Sequence, residues 1–295
     1  MLYDLVALGE TMIALAPPPG ETIHSAVRLL VDHAGAESNT CVGLSRLGLR
    51  VAWVSRLGAD HAGDRIHAAL TAEGVDTRWV SRDPARPTGL MLKEAGGNVR
   101  YYRTGSAASA VGPEVLEGVP VAEARAVLVT GITALIGPAP QAAGLAFLGS
   151  ARGLRIVDPN LRLGLWGSDR RVELVLPFID RCDLLLAGVA ELEELFGEGD
   201  VHLLARRAAA RGPKEVVVRG ASSVAAQSPK GWHELEIQRD AAVDPIGAGD
   251  AFNAGYIAVR LNGGTIDAAL RAGARCGAAV TAAPSDTSAF PRSLT

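Results

Sequence analysis

A glycine-rich turn followed at once by an aspartate lies near the end of the chain. Gly247, Ala248 and Gly249 carry little or no side chain, and Asp250 comes directly after them. Apolar residues then recur at helical spacing from Ala251 to Val259, so the turn leads into a helix N-terminus, where unpaired backbone N–H groups and the helix dipole attract anions. There Asp250 could take a proton from a hydroxyl group that attacks phosphorus, although taken alone it also fits an ordinary helix cap.

The composition of the chain describes a globular protein. Of 295 residues, 48% are hydrophobic and 21% are charged, as in ordinary folded cores. A net charge of −3 offers no basic surface for nucleic acid or an anionic membrane. Cys41, Cys182 and Cys276 are far apart and include no C-x-x-C pair, which indicates neither a disulfide framework nor a zinc site. We therefore expect a protein of the reducing cytoplasm.

Two segments could be mistaken for targeting or membrane segments. The N-terminal residues lack a basic region and include Asp4, which predicts a first strand and not a signal peptide. The longest uncharged run, residues 126–151, is broken by several glycines and prolines. It is too interrupted to predict a membrane span.

Short apolar runs alternate with amphipathic stretches of helix length. The predicted strands, buried on both faces, are 5–10, 50–58, 126–131, 154–160, 183–188 and 215–220. The helix candidates are 36–48, 60–74, 139–153, 172–180 and 200–212. This alternation predicts an α/β fold with a doubly wound, mostly parallel sheet. Most of these strands end in Gly, Glu or Asn, which places polar groups at the carboxyl edge where such sheets bind ligands.

Two stretches break the alternation. Residues 11–33 and 77–103 show strand-type patterns and turns with little sign of helix. The second contains a candidate hairpin, with 88–94 and 98–103 joined at Ala95–Gly97. We interpret both stretches as a small β-sheet, here called the lid, that projects from a single domain spanning 1–295. Because a small sheet cannot bury both faces alone, its apolar residues predict a homodimer or a larger homo-oligomer.

Two motifs resemble those of one enzyme family, the ribokinase-like (PfkB) carbohydrate kinases. The segment VDPIGAGDAFNAGY at 243–256 is similar to their C-terminal signature, and AGAESNTCVGLSRLG at 34–48 is similar to their sugar-binding motif, which normally reads G-G-A-x-x-N. The resemblance implies phosphorylation of a sugar hydroxyl by ATP with Mg²⁺, and it covers essentially the whole chain. Asp250 would be the catalytic base, and the glycine turn before it would form an anion hole for the phosphoryl group. The residues implied to contact the sugar through the second motif are Gly35, Ala36 and Asn39.

The resemblance also implies a nucleotide site and two cation sites. The nucleotide site would include Arg219, Gly220, Ala221 and Cys276, although a buried cysteine also fits plain packing. Glu191 would organise water and Mg²⁺ near the phosphates, and Asp244 would lie in a loop that binds a monovalent cation such as K⁺. The chain departs from the family pattern at Gly188, where relatives usually have asparagine, close in sequence to the residue implied to organise the metal. It also has Ala34 where a glycine is usual.

Three further stretches are similar to one subgroup, the 2-keto-3-deoxygluconate kinases. They are YYRTGSAAS at 101–109, DPNLRLGLW at 158–166 and PSDTSAFP at 284–291. The sugar contacts that they imply are Tyr101, Arg103, Arg162 and Asp286. A sugar acid brings a charge that needs a cationic partner once it is buried, and Arg103 and Arg162 are the candidates.

Two other functions remain open from the sequence. The chain could be a fructokinase or another ketose kinase, since fructokinases share the D-P-N-x-R pattern. It could also be a sugar- or nucleotide-binding module that has kept the fold and lost turnover. The departure at Gly188 favours that module, whereas the intact GAGD segment opposes it.

Overall fold

A computed structural model describes residues 2–94, 98–161, 172–237, 247–281 and 287–294. The strands of the described chain are β1 (Leu5–Leu8), β2 (Met12–Ala16), β3 (Leu30–Ala34), β4 (Val51–Gly58), β5 (Val80–Asp83), β6 (Leu90–Lys93), β7 (Val99–Tyr102), β8 (Ala126–Thr130), β9 (Leu154–Asp158), β10 (Leu184–Gly188), β11 (Glu215–Arg219), β12 (Ser223–Ser228) and β13 (Gly231–Glu236). Its α-helices are α1 (Ala36–Arg46), α2 (His61–Ala72), α3 (Gly131–Leu135), α4 (Pro138–Ser150), α5 (Leu176–Ile179), α6 (Val189–Phe196), α7 (Val201–Ala209), α8 (Ala248–Leu261) and α9 (Ile266–Thr281).

Nine of the described strands form a large sheet in the order β13-β12-β11-β10-β9-β8-β1-β4-β5. Seven of these strands, β1, β4, β5 and β8 to β11, run parallel. Strands β12 and β13 add an antiparallel edge. Side chains alternate across this sheet, since Leu5 and Ala7 lie in one hydrophobic cluster whereas Val6 and Leu8 lie in another. Helices α1, α2, α8 and α9 cover the first face, and α4 to α7 cover the second. The predicted α/β fold class and all six predicted strands are confirmed.

The small sheet has the order β3-β2-β6-β7. Strand β2 pairs antiparallel with β3 and parallel with β6, and β6 pairs antiparallel with β7. One face buries Met12, Ala14, Ala34 and Met91. Two residues of β3 remain exposed, Leu30 at 52% and Val31 at 44%.

Not all of the stretch 77–103 lies in the small sheet. Strand β5 is instead the edge strand of the large sheet, where Ser55 to Gly58 of β4 pair with Val80 to Asp83. The reason is that β4, α2 and β5 form one β-α-β unit, and its short crossover returns the chain beside β4. The interpretation of 77–103 as lid strands is therefore corrected to β6 and β7.

Two further features differ from the sequence prediction. The helix expected at 172–180 is interrupted, with a short 3₁₀ turn at Val172–Leu174 before α5. The β12–β13 hairpin was not predicted, because β12 (SVAAQS) has few of the branched or aromatic residues typical of strands. Within the described ranges, no helix is both long and apolar enough to cross a membrane.

Candidate active site

Residues from the ends of five parallel strands lie at the carboxyl edge of the large sheet, and all but one of them are polar. Glu10 follows β1, Thr130 ends β8, Asp158 ends β9, Gly188 ends β10 and Arg219 ends β11. Ligands bind at this edge in open α/β sheets because the strand ends and the following helix N-termini converge there. The candidate site is therefore built on this edge.

The glycine turn predicted from the sequence opens helix α8. Gly247 has φ +84°, a left-handed conformation that favours glycine, and α8 begins at Ala248. Helix α9 packs closely beside this start, since a Cβ atom on Gly277 would lie 3.2 Å from Ala248 O. Asp250 lies in the first turn of α8 and is only 4% exposed. The turn thus presents helix-initial N–H groups together with a buried carboxylate.

Asn39 of α1 joins the two predicted motifs directly. Its Nδ2 donates to Asp250 Oδ2 at 2.8 Å, across 211 positions of sequence. Its Oδ1 is buried and has no hydrogen-bond partner among the described residues. That oxygen can accept a hydrogen bond from a ligand hydroxyl beside the carboxylate.

Gly35 and Ala36 form the start of α1. Gly35 is the N-cap residue, and a Cβ atom there would lie 2.4 Å from Glu10 O and 2.7 Å from Thr11 Oγ1. Only glycine allows the first turn of α1 to approach the end of β1 so closely. This contact places Asn39, one turn further along α1, against Asp250.

A buried ion pair connects the large sheet to the lid. Arg103, directly after β7, donates through Nη2 to Glu10 Oε2, and Ser106 Oγ donates to Glu10 Oε1 at 2.8 Å. The Arg103 guanidinium also lies over the Tyr101 ring, 5.5 Å from its centroid. Tyr101 and Arg103 therefore lie together, as their alternation along the strand predicts, and Glu10 holds them to the carboxyl edge.

Arg219 ends β11, and its side chain points toward the start of α8. Its guanidinium turns inward and contacts Asp158 and Asn253, with its side chain 14% exposed. Gly220 and Ala221, by contrast, lie in the surface turn between β11 and β12. The buried carboxylates attract the guanidinium away from this surface turn.

The pfkB family carbohydrate kinase model matches residues 3–292. The chain belongs to the pfkB family of carbohydrate kinases. It is 32% identical over 286 residues to the 2-dehydro-3-deoxygalactonokinase of Haloferax volcanii, which covers 93% of this chain and 89% of that protein. It is 34% identical over 304 residues to the 2-dehydro-3-deoxygluconokinase of Thermoproteus tenax, covering 98% and 92%. The crystal structure of a 2-dehydro-3-deoxygluconokinase from Thermotoga maritima is 26% identical, with a TM-score of 0.83 over 96% of this chain and 94% of that one. The family inferred from the motifs is confirmed.

Glu191 of this pfkB-family kinase caps a helix. Its Oε2 accepts from Gly188 N at 2.6 Å and its Oε1 accepts from Leu161 N at 2.7 Å. Burial raises the pKa of Glu191, the charge of Asp158 raises it further, and Arg219 opposes both. Both oxygens of Glu191 thus already accept a backbone hydrogen bond. No group of three or more His, Cys, Asp or Glu side chains in the described part of this kinase could hold a metal ion.

Of the four remaining predicted residues, the structure describes only Cys276. Cys276 is 1% exposed and packs in the core, where a Cβ atom on Gly255 would lie 2.8 Å from its Sγ. Burial raises the pKa of its thiol to about 11, so the thiol is neutral packing between α8 and α9. Arg162, Asp244 and Asp286 lie outside the described residues.

Sequence reasoning missed several polar residues of this kinase site. Glu10, Asp158 and Asn253 are all buried at the carboxyl edge. A signal was present for the first two, because Glu10 is the last residue of the predicted strand 5–10 and Asp158 lies in the predicted strand 154–160. Asn253 lies three residues after Asp250, on the same side of α8, and its amide donates to Asp158 Oδ2 at 2.7 Å.

Glu37 was also missed, although it lies inside the sugar-binding motif. Its Oε1 accepts from Thr130 N, Thr130 Oγ1 and Thr133 Oγ1 at 3.0, 2.8 and 3.3 Å. Its Oε2 is buried without a partner among the described residues, and a Cβ atom on Gly9 would lie 2.1 Å from its carboxyl carbon. Burial raises the pKa of Glu37 to about 7. The carboxyl group thus fixes α1 against the ends of β1 and β8.

The raised pKa of Glu37 predicts a pH-dependent stability. The folded state holds the Glu37 proton up to about pH 7, whereas the unfolded chain releases it near pH 4.5. Stability is therefore highest below the lower value and falls as pH rises through the upper one, by about 3 kcal/mol, with no further change above it. Glu37→Gln should remove this part of the pH dependence. Urea unfolding of both proteins at several pH values measures it.

The exposed Glu123→Gln provides the matched control for Glu37. Its free energy of unfolding should follow that of the wild type at every pH. If the curves of Glu37→Gln and the wild type differ only by a constant across this range, Glu37 does not titrate as described.

Proposed function

We propose that this kinase transfers a phosphoryl group from ATP to a hydroxyl group of a small sugar acid, with 2-keto-3-deoxygluconate (2-dehydro-3-deoxygluconate) as its preferred substrate. The observation that carries this proposal is the buried hydrogen bond between Asn39 and Asp250. It joins the helix of the sugar-binding motif to the helix that begins at the glycine turn. A sugar hydroxyl held beside Asn39 is thereby next to the carboxylate that can deprotonate it.

Phosphoryl transfer requires positioning and charge stabilisation more than covalent chemistry by the protein. Asp250 takes the proton of the attacking hydroxyl, and the N–H groups at the start of α8 face the charge on the phosphoryl oxygens. Mg²⁺ bound with ATP would offset the charge of the phosphates. Mg²⁺ is commonly held by substrate phosphates and waters with few protein carboxylates, so Glu191 would act on it through water.

Two observations support a sugar acid as substrate. The relatives from H. volcanii, T. tenax and Bacillus subtilis are named for 2-dehydro-3-deoxy sugar acids, and proteins named as probable fructokinases match at 27% identity over about two thirds of the chain. Arg103 lies at the lid with most of its side chain buried. A buried guanidinium beside the site provides the cationic partner that a substrate carboxylate needs.

A coupled assay of ADP release across a substrate panel tests the proposal. The panel contains 2-keto-3-deoxygluconate, 2-keto-3-deoxygalactonate and fructose. We expect kcat/KM to be highest for 2-keto-3-deoxygluconate and lowest for fructose. A higher value for fructose would support the ketose kinase instead. Sugar binding by calorimetry without turnover of any substrate would support the binding module.

The proposal includes a homodimer formed through the lid. Val27 is 97% exposed, and Leu30, Val31 and Tyr102 are also exposed large hydrophobic residues. Leu30 and Val31 are adjacent in β3, so exposed apolar side chains lie on both faces of the lid, which favours an interface. Light scattering at micromolar concentration should give at least twice the monomer mass, and Leu30→Asp should reduce it to the monomer mass. Leu2→Asp, at another exposed leucine, should leave the mass unchanged. A wild-type monomer would exclude this interface.

The proposal also places this kinase in the cytoplasm. ATP is available there as the phosphoryl donor. The three cysteines are free and buried, which agrees with a reducing compartment.

A further inference from the structure

The guanidinium of Arg219 binds the helix that carries the catalytic carboxylate. Its Nη1 donates to Asn253 Oδ1 at 2.8 Å and to Gly249 O at 3.3 Å. Both acceptors belong to α8, on either side of Asp250. We propose that Arg219 is a positioning residue for phosphoryl transfer, which holds the glycine turn and the first turn of α8 in their reactive orientation and does not bind the nucleotide.

The other side of the guanidinium is anchored to the sheet. Nη2 donates to Asp158 Oδ2 at 3.1 Å, to Leu186 O at 3.4 Å and to Glu191 Oε2 at 3.5 Å. These acceptors come from β9, β10 and α6. Asn253 closes the arrangement, because its amide donates to the same Asp158 oxygen. The planar guanidinium of Arg219 therefore connects β9, β10 and α6 to the start of α8.

The contact with Gly249 acts directly on the anion-binding backbone. The carbonyl of Gly249 and the N–H of Asp250 belong to one planar peptide group and point in opposite directions. Holding Gly249 O therefore sets the direction of the Asp250 N–H. A Cβ atom on Gly249 would lie 3.2 Å from Arg219 Nη1, so a larger residue there would press on the guanidinium.

The charge of Arg219 suits this position. Arginine stays protonated at any physiological pH, and the carboxylates of Asp158, Glu191 and Asp250 surround it. A buried cation with such partners is held firmly, since losing one contact would leave charge unpaired. It also adds fixed positive charge behind the turn that receives the phosphoryl group.

Lysine in place of Arg219 keeps the charge but lacks the planar fork that reaches both α8 and the sheet. We expect Arg219→Lys to lower kcat by about tenfold to a hundredfold, because small misplacements of reacting groups are costly. KM for ATP and for the sugar should change by less than about threefold, since ground-state binding is retained. Calorimetric titration with ATP should give the wild-type affinity.

Arg260→Lys is the matched control. Arg260 lies at the far end of the same helix, donates through Nε and Nη2 to Glu215 at 3.0 and 2.7 Å, and donates to Gly264 O at 2.7 Å. It should keep the wild-type kcat even if it is less stable. Equal loss of kcat in both variants, in proportion to their loss of thermal stability, would show that Arg219 is merely structural. A tenfold or greater loss of ATP affinity in Arg219→Lys with unchanged kcat would make Arg219 a nucleotide ligand after all, on the usual scale of one charge-assisted bond.

A second variant keeps the inference testable if Arg219→Lys folds poorly. Asn253→Ala removes the acceptor on α8 that binds Arg219. The two changes together should lower kcat no further than the stronger single change, because residues that act as one unit are not additive. Fully additive losses would overturn the proposal.

This inference rests on the proposed phosphorylation of a sugar, but it does not depend on which sugar is the substrate. The calorimetric titration with ATP can be done without any turnover. A wrong choice of sugar would therefore leave the ATP affinities of the variants interpretable, and the two failures can be told apart.

Discussion

Asp250→Asn is expected to lower kcat by about 10²–10⁴-fold, the usual contribution of a general base. Binding of ATP and sugar should remain near that of the wild type. The introduced amide has the shape of the carboxylate, and its oxygen can still accept the hydrogen bond that Asn39 donates at 2.8 Å. What it cannot do is take the proton of the attacking hydroxyl. Steady-state kinetics with calorimetry for each substrate measures the separation of kcat from binding.

Asp267→Asn is the matched control for this prediction. Asp267 occupies the first turn of α9, as Asp250 occupies the first turn of α8, and it pairs with His233 at the surface. Its replacement should leave kcat unchanged. A correctly folded Asp250→Asn enzyme with near-normal kcat would rule out Asp250 as the base.

Removing the Arg103 guanidinium is expected to raise KM for 2-keto-3-deoxygluconate by roughly ten- to a hundredfold, the effect of losing about 1.5–3 kcal/mol from a hydrogen bond to a charged group. KM for a neutral ketose should change much less. The structure complicates the simple variant, because Arg103 already pairs with the buried Glu10. Truncation of Arg103 alone would leave the buried Glu10 carboxylate without its cationic partner. This would lower the stability of the protein for a reason unrelated to substrate binding.

The double variant Glu10→Gln/Arg103→Met removes both charges together and separates the two effects. It should retain the loss toward the sugar acid and recover stability relative to Arg103→Met. Arg100→Met is the control on the same strand, where the guanidinium pairs with Glu94 at the surface, and it should behave as the wild type. Equal losses on the acid and on the ketose would mean that Arg103 does not bind the carboxylate. Arg162, outside the described residues, would then be the remaining candidate.

The elements of the large sheet could be predicted from the sequence because their signals are local. An apolar run such as 126–131 predicts a strand buried on both faces, and the stretch between two such runs has the period of a helix. The start of α8 was predictable for the same reason. A left-handed glycine at 247 and a helical apolar face after Asp250 involve only neighbours in the chain.

Contacts between distant segments could not be predicted in this way. The sequence placed Arg219 at a strand end, and its direction depends on the carboxylates of Asp158 and Glu191 that the sheet order brings beside it. It also did not show that Glu10 binds Arg103, 93 positions away.

The sequence by itself thus determined the α/β class, the glycine turn with Asp250 and the family motif at 34–48, since each depends on residue type and short-range spacing. Only the tertiary structure decided which partner each buried charge has. A buried charge takes whichever opposite charge or dipole the packed elements place within hydrogen-bond distance, because leaving it unpaired costs more than any local preference of its side chain.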